Sequence, residues 1–304
     1  MVNLLSFAQE DSLGITKYRQ RLTIIPNYKY TGMFLKIYGE KTSIQYKPNS
    51  SHSIGLEGSY KWLGFGLGYG IFDDAKNELE TKLVNYDFRF DFFFRRILIN
   101  SNFQYFKGFS IKDPPKNISP EREAMLTPNM TLNNIGVNVI YAFNPIFSFK
   151  AIYKNSERLN YGRGSFLSGI TQYYTRLSSK SSFYPDEVIS DLKIYNYSSY
   201  GKFYSVFLDF GYQYVWAHNN WYFAPMIIVG GGTQYQNYIY KETIHRQEFK
   251  LAYKYILNIP IGYNGETFFY GITFNFDNNR MLIERARMQL EFSSLKIFIG
   301  MRFL

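Results

Sequence analysis

The chain offers little that could make or break a covalent bond. Its 304 residues hold three histidines, His52, His218 and His245, and no cysteine. A serine nucleophile needs an imidazole within hydrogen-bond reach of its hydroxyl. All three histidines fall at turns or loop edges, where a solvated imidazole is the ordinary state. Without Cys there is no thiolate nucleophile, no Cys metal site and no disulfide framework. No catalytic residue, cofactor or metal is therefore assigned. What remains is charge. Asp87, Arg89 and Asp91 recur at every second residue, Lys150 and Lys154 follow, and Arg285, Arg287, Glu291 and Arg302 mark the last stretch. Charges at alternate positions share one face of an extended strand. Lining an open channel, such groups select ions. Lining a closed one, they pair with each other, and mixed signs along one strand favour this second reading.

The elements that must position these charges are strands, because the hydropathy alternates with period two. Val84, Tyr86, Phe88, Phe90 and Phe92 oppose Asn85, Asp87, Arg89 and Asp91. Ile97, Ile99, Phe103 and Tyr105 oppose Asn100, Asn102 and Gln104, and Val206, Leu208, Phe210, Tyr212 and Tyr214 oppose Ser205, Asp209, Gly211 and Gln213. Many runs extend over about 10 to 16 residues, longer than the 5 or 6 usual in soluble sheets and long enough to cross a bilayer. Aromatics make up 20% of the chain, with 29 Tyr, 29 Phe and 3 Trp. The chain is 46% hydrophobic, yet its mean hydropathy is −0.26. A strand with one face on lipid and the other on a polar lumen needs that combination. No run approaches the 18 or so apolar residues of a membrane helix; the best, around residues 223–229, contains Pro225 and runs into Gly230, Gly231 and Gly232.

The pattern predicts an all-β, antiparallel, up-and-down transmembrane β-barrel of about fourteen strands, with twelve as the alternative. Strands are expected near residues 33–47, 52–61, 63–73, 82–94, 96–107, 130–142, 145–155, 163–178, 201–217, 220–238, 247–263, 266–277, 281–292 and 295–304. Asn144-Pro145, Asn219-Asn220, Asn264-Gly265 and Asn278-Asn279 punctuate them. Two long irregular stretches, about 108–129 and 179–200, should both be external, since the opposite turns are short. Three strands lie between them, where an even number is required. Either one strand is misread, or one long segment is periplasmic or folds into the lumen. The first of these loops carries Asp113-Pro114-Pro115-Lys116 and Ser119-Pro120-Glu121-Arg122-Glu123.

The ends carry signals of their own. Leu295, Ile297, Ile299, Met301 and Phe303 alternate with Lys296, Gly300 and Arg302, a pattern similar to the closing strand of outer-membrane proteins. Leu4-Leu5-Ser6-Phe7-Ala8-Gln9 reads as the remnant of a signal peptide. The expected organisation is thus a remnant over 1–9, a periplasmic segment over 10–31 and the barrel over 32–304. The net charge of +10 suits outer-membrane lipid, lipopolysaccharide phosphates and acidic protein surfaces. It is scattered among apolar strands, so nucleic acid is not an expected partner.

Several short motifs carry a resemblance. Tyr46-Lys47-Pro48-Asn49, Tyr60-Lys61-Trp62-Leu63-Gly64, Glu157-Arg158 and Gly164-Ser165-Phe166-Leu167 form one set. Gly211-Tyr212-Gln213-Tyr214, Asn220-Trp221-Tyr222-Phe223, Gly262-Tyr263-Asn264-Gly265 and Gly300-Met301-Arg302-Phe303 form another. In this order, over roughly residues 30 to 303, they resemble a Bacteroidetes family of predicted outer-membrane barrel proteins, a domain of unknown function. The resemblance implies a barrel in the bacterial outer membrane and brings no catalytic residues.

Two further features bear on function. A barrel phospholipase needs His and Ser close together followed by Asn-Gly-Arg; Lys154-Asn155-Ser156-Glu157-Arg158 comes nearest and has no histidine. Gly64, Gly66, Gly68 and Gly70 alternate with Leu63, Phe65, Leu67, Tyr69 and Ile71, leaving a lumen face without side chains that a bulky neighbour or an inserted segment can approach. The expected function is a non-enzymatic accessory or structural subunit of an outer-membrane assembly, with other outer-membrane proteins as partners. The alternative is a narrow anion-favouring pore, and a lipid-acting enzyme ranks third. A plugged lumen would favour the first.

Overall fold

The computed structural model describes residues 8–10, 14–18, 22–38, 43–48, 51–72, 84–112, 126–180, 199–240, 244–283 and 286–303. A small leading sheet begins with β1 (Ala8–Glu10) and β2 (Ile15–Tyr18). The wall then runs through β3 (Leu22–Tyr38), β4 (Ser43–Pro48), β5 (His52–Tyr60), β6 (Leu63–Phe72), β7 (Val84–Phe93), β8 (Ile97–Lys112) and β9 (Leu126–Ala142). After an inserted segment that holds β10 (Glu157–Leu159), it continues with β11 (Arg163–Ser178), β12 (Tyr200–His218), β13 (Trp221–Phe223) and β14 (Met226–Tyr240). The last three strands are β15 (Ile244–Asn264), β16 (Phe268–Ile283) and β17 (Ala286–Phe303).

Every pairing is antiparallel, and β17 returns to β3, closing the sheet. Twelve strands make the circuit, and the short β4 and β13 bring the sheet to fourteen. β13 and β14 keep one register against both neighbours, broken only at Ala224-Pro225, where proline has no N–H to give. No described helix is long and apolar enough to cross a membrane. The barrel starts at Leu22, ten residues before the expected boundary at 32, because Leu22 to Tyr30 already pair with β5.

One end of the barrel is closed by short turns. Tyr60 and Leu63 pair directly around Lys61-Trp62, and Asn219 and Asn220 both take positive φ, 47° and 69°, between β12 and β13, as a two-residue hairpin turn requires. The opposite, loop end joins β8 to β9 and β11 to β12. Residues 113–125, with the proline-rich stretch, lie outside the described residues, as do residues 1–7 of the expected signal remnant. Both loops fall at one end because only β9 and β11 separate them. The expected strand over 145–155 is instead a π-helical turn, Lys150–Lys154. Its Phe147, Phe149, Ala151 and Tyr153 mimic a strand's alternation, but the segment is packed into the lumen. Likewise the break expected between 281–292 and 295–304 falls inside the single strand β17, Ala286–Phe303, while residues 281–283 and Asn278-Asn279 belong to β16.

β4 gives the barrel two circumferences. It pairs with β3 at Leu35 to Tyr38 and with β8 at Phe109 to Lys112, standing above β5, β6 and β7. A bulge at Gly108, φ +86°, shifts the register of β8 between Lys107 and Phe109. The irregularity reverses the alternation along β8, so Phe106, Phe109 and Ile111 all face inward. They join Met33, Leu35, Ile37, Ile44, Tyr46, Met130, Leu132, Leu177, Phe203 and Leu290 in one apolar cluster beneath the loop end.

Candidate functional site: the plugged lumen

The lumen is layered. Beneath the loop end lies the apolar cluster just described. At the turn end residues 143–162 fold inward as a plug, in which Phe147 and Phe149 meet edge to face at 5.3 Å. They pack with Ala151 and Ile152 against Ile15, Phe93, Leu98, Ile140, Leu167, Val215 and Met226. β10 completes a three-stranded sheet with β2 and β1, so the leading segment is part of the plug. Burying a Phe of this kind contributes about 1.5–3 kcal/mol.

Hydrogen bonds fix the plug to the wall. Tyr153 donates its hydroxyl proton to Asn258 Oδ1 at 3.0 Å and accepts from Gln213 Nε2 at 2.9 Å. Asn264 donates to the Glu157 carbonyl at 2.9 Å, and within the plug Ser148 donates to the Glu157 carboxylate at 2.6 Å. Arg302 is the latch. Its Nε donates to the Asn155 carbonyl at 2.9 Å, and its terminal nitrogens reach the carbonyls of Gly265 and Glu266 and the side chain of Asn264. The guanidinium lies over Tyr18 at 4.0 Å and Phe269 at 4.6 Å. One side chain thus holds plug, leading segment, β15–β16 turn and closing strand together.

Between the two apolar layers lies a polar chamber of about 230 Å³. Lys29, Glu57, Arg89, Asp91 and Lys296 form one wall, with Asp87 behind Lys29. Lys296 donates to both carboxylate oxygens of Glu57, at 2.8 and 3.0 Å, Arg89 lies 3.9 Å from Glu57, and Lys29 pairs with Asp87. Asn100 donates to Asp91. These groups sit on β3, β5, β7 and β17 and meet across β6, whose lumen face carries Gly64, Gly66 and Gly68. A Cβ on Gly66 would stand 3.0 Å from Glu57 Cγ. The glycine row is a trough for ion pairs. Opposite, the Lys254 ammonium pairs with Asp209 at 3.2 Å and donates to Thr171, and Tyr173 crosses to donate to Asp277.

Of the charges singled out from sequence, Arg89 and Asp91 line the chamber, and Asp87 pairs with Lys29 beside them. Lys150 and Lys154 sit on the plug turn, not on a strand. Lys154 is buried there, and burial first, then the neighbouring Lys150, lowers its pKa to about 8 against the partial opposition of Glu157. Arg302 lies at the turn end. Glu291 departs from its expected place: Leu290 and its strand neighbour Phe292 face the apolar cluster, so alternation turns Glu291 to the outer face, where it pairs with Lys36 at 2.6 Å. At that height the lumen face is apolar, and the ion pair lies on the outer face beside Phe34. Arg285, and the side chain of Arg287, lie outside the described residues. Sequence reading missed Lys29, Glu57, Lys254 and Asp277. Lys29 and Lys254 each stand between two tyrosines, which was the usable signal, but only the pairing of distant strands brings the four together.

A family model described as a domain of unknown function, DUF4421, matches residues 9–303. The chain belongs to the DUF4421 family. No curated protein matches this DUF4421 chain. Among solved structures it is similar to the outer membrane protease OmpT from Escherichia coli, at 6% identity and a TM-score of 0.39 over 93% of this chain and 97% of that one. It is also similar to an outer membrane channel from Pseudomonas putida F1, at 8% identity and a TM-score of 0.41 over 99% and 100% of the two chains. Neisserial surface protein A follows at 6% identity and a TM-score of 0.27, over 93% and 97%. In the DUF4421 chain the stretches that carried the family resemblance gather largely at the turn end. Asn220 accepts from Arg158, Asn264 donates to Glu157, and Arg302 bonds Asn264 and Gly265. They are the plug's fastenings.

Proposed function

We propose that this DUF4421 protein is a non-conducting β-barrel of the bacterial outer membrane, serving as a non-enzymatic accessory or structural subunit to which other outer-membrane proteins bind. The observation that carries this reading is the double filling of the lumen, with apolar side chains at both ends of an ion-paired chamber. Hydrated ions need a continuous wet path, and each apolar layer interrupts it. Short turns belong on the periplasmic side and long loops outside, so the plug faces the periplasm. The net charge of +10 suits contact with lipopolysaccharide phosphates.

The alternative, a narrow anion-favouring pore, draws on the chamber cations Lys29, Arg89 and Lys296. Each of them faces a carboxylate, and balanced charge gives anions little preference. Single-channel recording in planar bilayers separates the readings. Folded, heat-modifiable protein should give no conductance steps, whereas discrete, reproducible, anion-selective steps would overturn the accessory reading.

A further inference from the structure

Two cations on the wall stand apart from the rest. Lys29, Arg89, Lys254 and Lys296 in the lumen, and Lys36 on the outer face, each face a carboxylate. Arg176 of β11 and Lys202 of β12 do not. Their strand neighbours Thr175, Leu177 and Phe203 are buried, so alternation turns both cations outward. They are directly opposed in register, and among the described residues no carboxylate pairs with either. Both close instead on one ring: Tyr200 lies 5.4 Å from the Arg176 guanidinium and 5.6 Å from the Lys202 ammonium. Like charges directly opposite each other destabilise a sheet. An anion between them would turn that cost into charge-assisted hydrogen bonds.

Aromatic rings fix their height. Next to Lys202 towards the turn end, the outward residues of β12 are Tyr204, then Val206, Leu208 and Phe210, with Tyr214 and Trp216 at the far end. Tyr204 meets Tyr174 at 4.7 Å and Tyr235 at 6.2 Å, forming an upper row. Trp216 meets Tyr214 at 4.4 Å and Phe223 at 5.2 Å, forming a lower one. From Tyr204 to Trp216 the strand covers about 40 Å, or about 30 Å of height at the usual tilt, which is the thickness of the bilayer hydrocarbon. Such rows bound the lipid-facing band. Arg176 and Lys202, one outward step above the upper row, therefore stand among the headgroups at the loop end. In the next row the hydroxyls of Thr131 and Ser178 bond at 2.7 Å. Lys107, opposite Thr131, adds a third cation about 10 Å from Ser178 along that row.

We propose that Arg176 and Lys202, flanked by Lys107, form a binding site on the outer wall for the phosphate groups of lipopolysaccharide, whose acyl chains lie against Val206, Leu208 and Phe210. The inference rests on the outer-membrane placement in the proposed function and names the lipid held there. Long loops mark the external side, so the headgroups at this height belong to the outer leaflet. A guanidinium fork matches a phosphate. A phosphate held here is joined to chains that continue down an apolar wall, which an acidic protein would leave uncovered.

Titration of labelled lipopolysaccharide into the folded barrel in neutral detergent tests the site. The barrel should bind it about tenfold more tightly than the same lipopolysaccharide stripped of its phosphates, the weight of a charge-assisted contact; this comparison needs no variant. Arg176→Gln combined with Lys202→Gln should weaken binding about as much, whereas Lys61→Asn, which removes a charge at the turn end, should leave it unchanged. Without lipid the double variant should unfold at a higher temperature than the parent, because the opposed charges are gone, and with lipopolysaccharide the order should reverse. Equal affinity for the stripped lipid, or unchanged affinity in the double variant, would overturn the site. Displacement by inorganic phosphate or by polyglutamate at the lipid's own concentration would make it a bare ion patch or an acidic-protein surface, and would overturn it too. Indifference to phosphate with silent bilayers leaves the accessory reading standing; conductance steps strike that reading and leave this site in place.

Discussion

At the scale of residues, the lumen depends as much on side chains that are missing as on those present. Glu57, Arg89 and Lys296 meet because Gly66 leaves the wall bare between β5 and β7. Gly66→Leu would drive a branched side chain into Glu57 Cγ, 3.0 Å from the first added carbon, and push the carboxylate off Lys296. Overpacking of this kind costs about 1–3 kcal/mol. The loss should appear as a lower temperature for the shift from folded to unfolded mobility in electrophoresis, while Phe65→Leu on the lipid face should move it far less. The glycine row and Asp87, Arg89 and Asp91 were legible from the sequence because alternation fixes which face each residue takes. Their partners were not. Nothing local ties Lys29 to Asp87, which lies three strands away around the wall, and Lys296 joins Glu57 only because the last strand closes on the first.

At the scale of elements, the strands could be read from period two, and the plug could not, for the same reason. Phe147, Phe149, Ala151 and Tyr153 alternate as a strand would, yet they close on a π-helical turn whose side chains are enclosed by barrel on all sides. Ser293-Ser294 likewise looks like a break between two strands and is a polar step inside one. The odd strand count between the two long loops was the surviving trace of the plug. Lys154 gives the plug a pH dependence. Its pKa of about 8 in the folded protein lies below its ordinary 10.5, so the folded state pays for the buried charge fully below about pH 8, and the penalty fades between pH 8 and 10.5. Thermal stability should therefore rise over that window. In Lys154→Met the rise should vanish; a rise of equal size in the variant would show that another group is responsible.

At the scale of the whole molecule, two separate apolar layers close one lumen, and the consequence is redundancy. Replacing residues 146–156 by a short Gly-Ser turn removes the turn-end layer and leaves the cluster around Phe106, Phe109 and Phe203 in place. Such a barrel should stay silent in planar bilayers although water and small reagents reach Glu57 from the turn end. Conductance should appear only when Phe109→Ala and Phe203→Ala are added. Steps from the plug replacement alone would mean that the loop-end cluster yields under voltage.

The placement of β4 also bears on how such barrels change size. A single short strand joins β3 to β8 at the loop end, and three strands, β5, β6 and β7, join them below. The wall therefore gains two strands from one end to the other, so strand number here is a function of height. An ancestor could have lengthened the connection after β4 into one additional hairpin, widening the base while the rim kept its pairing. At no stage would the count have become odd or the sheet have opened. A single chain of this form embodies the step between even-numbered barrels of two sizes, and comparing where relatives place the equivalent of β4 would trace which size came first.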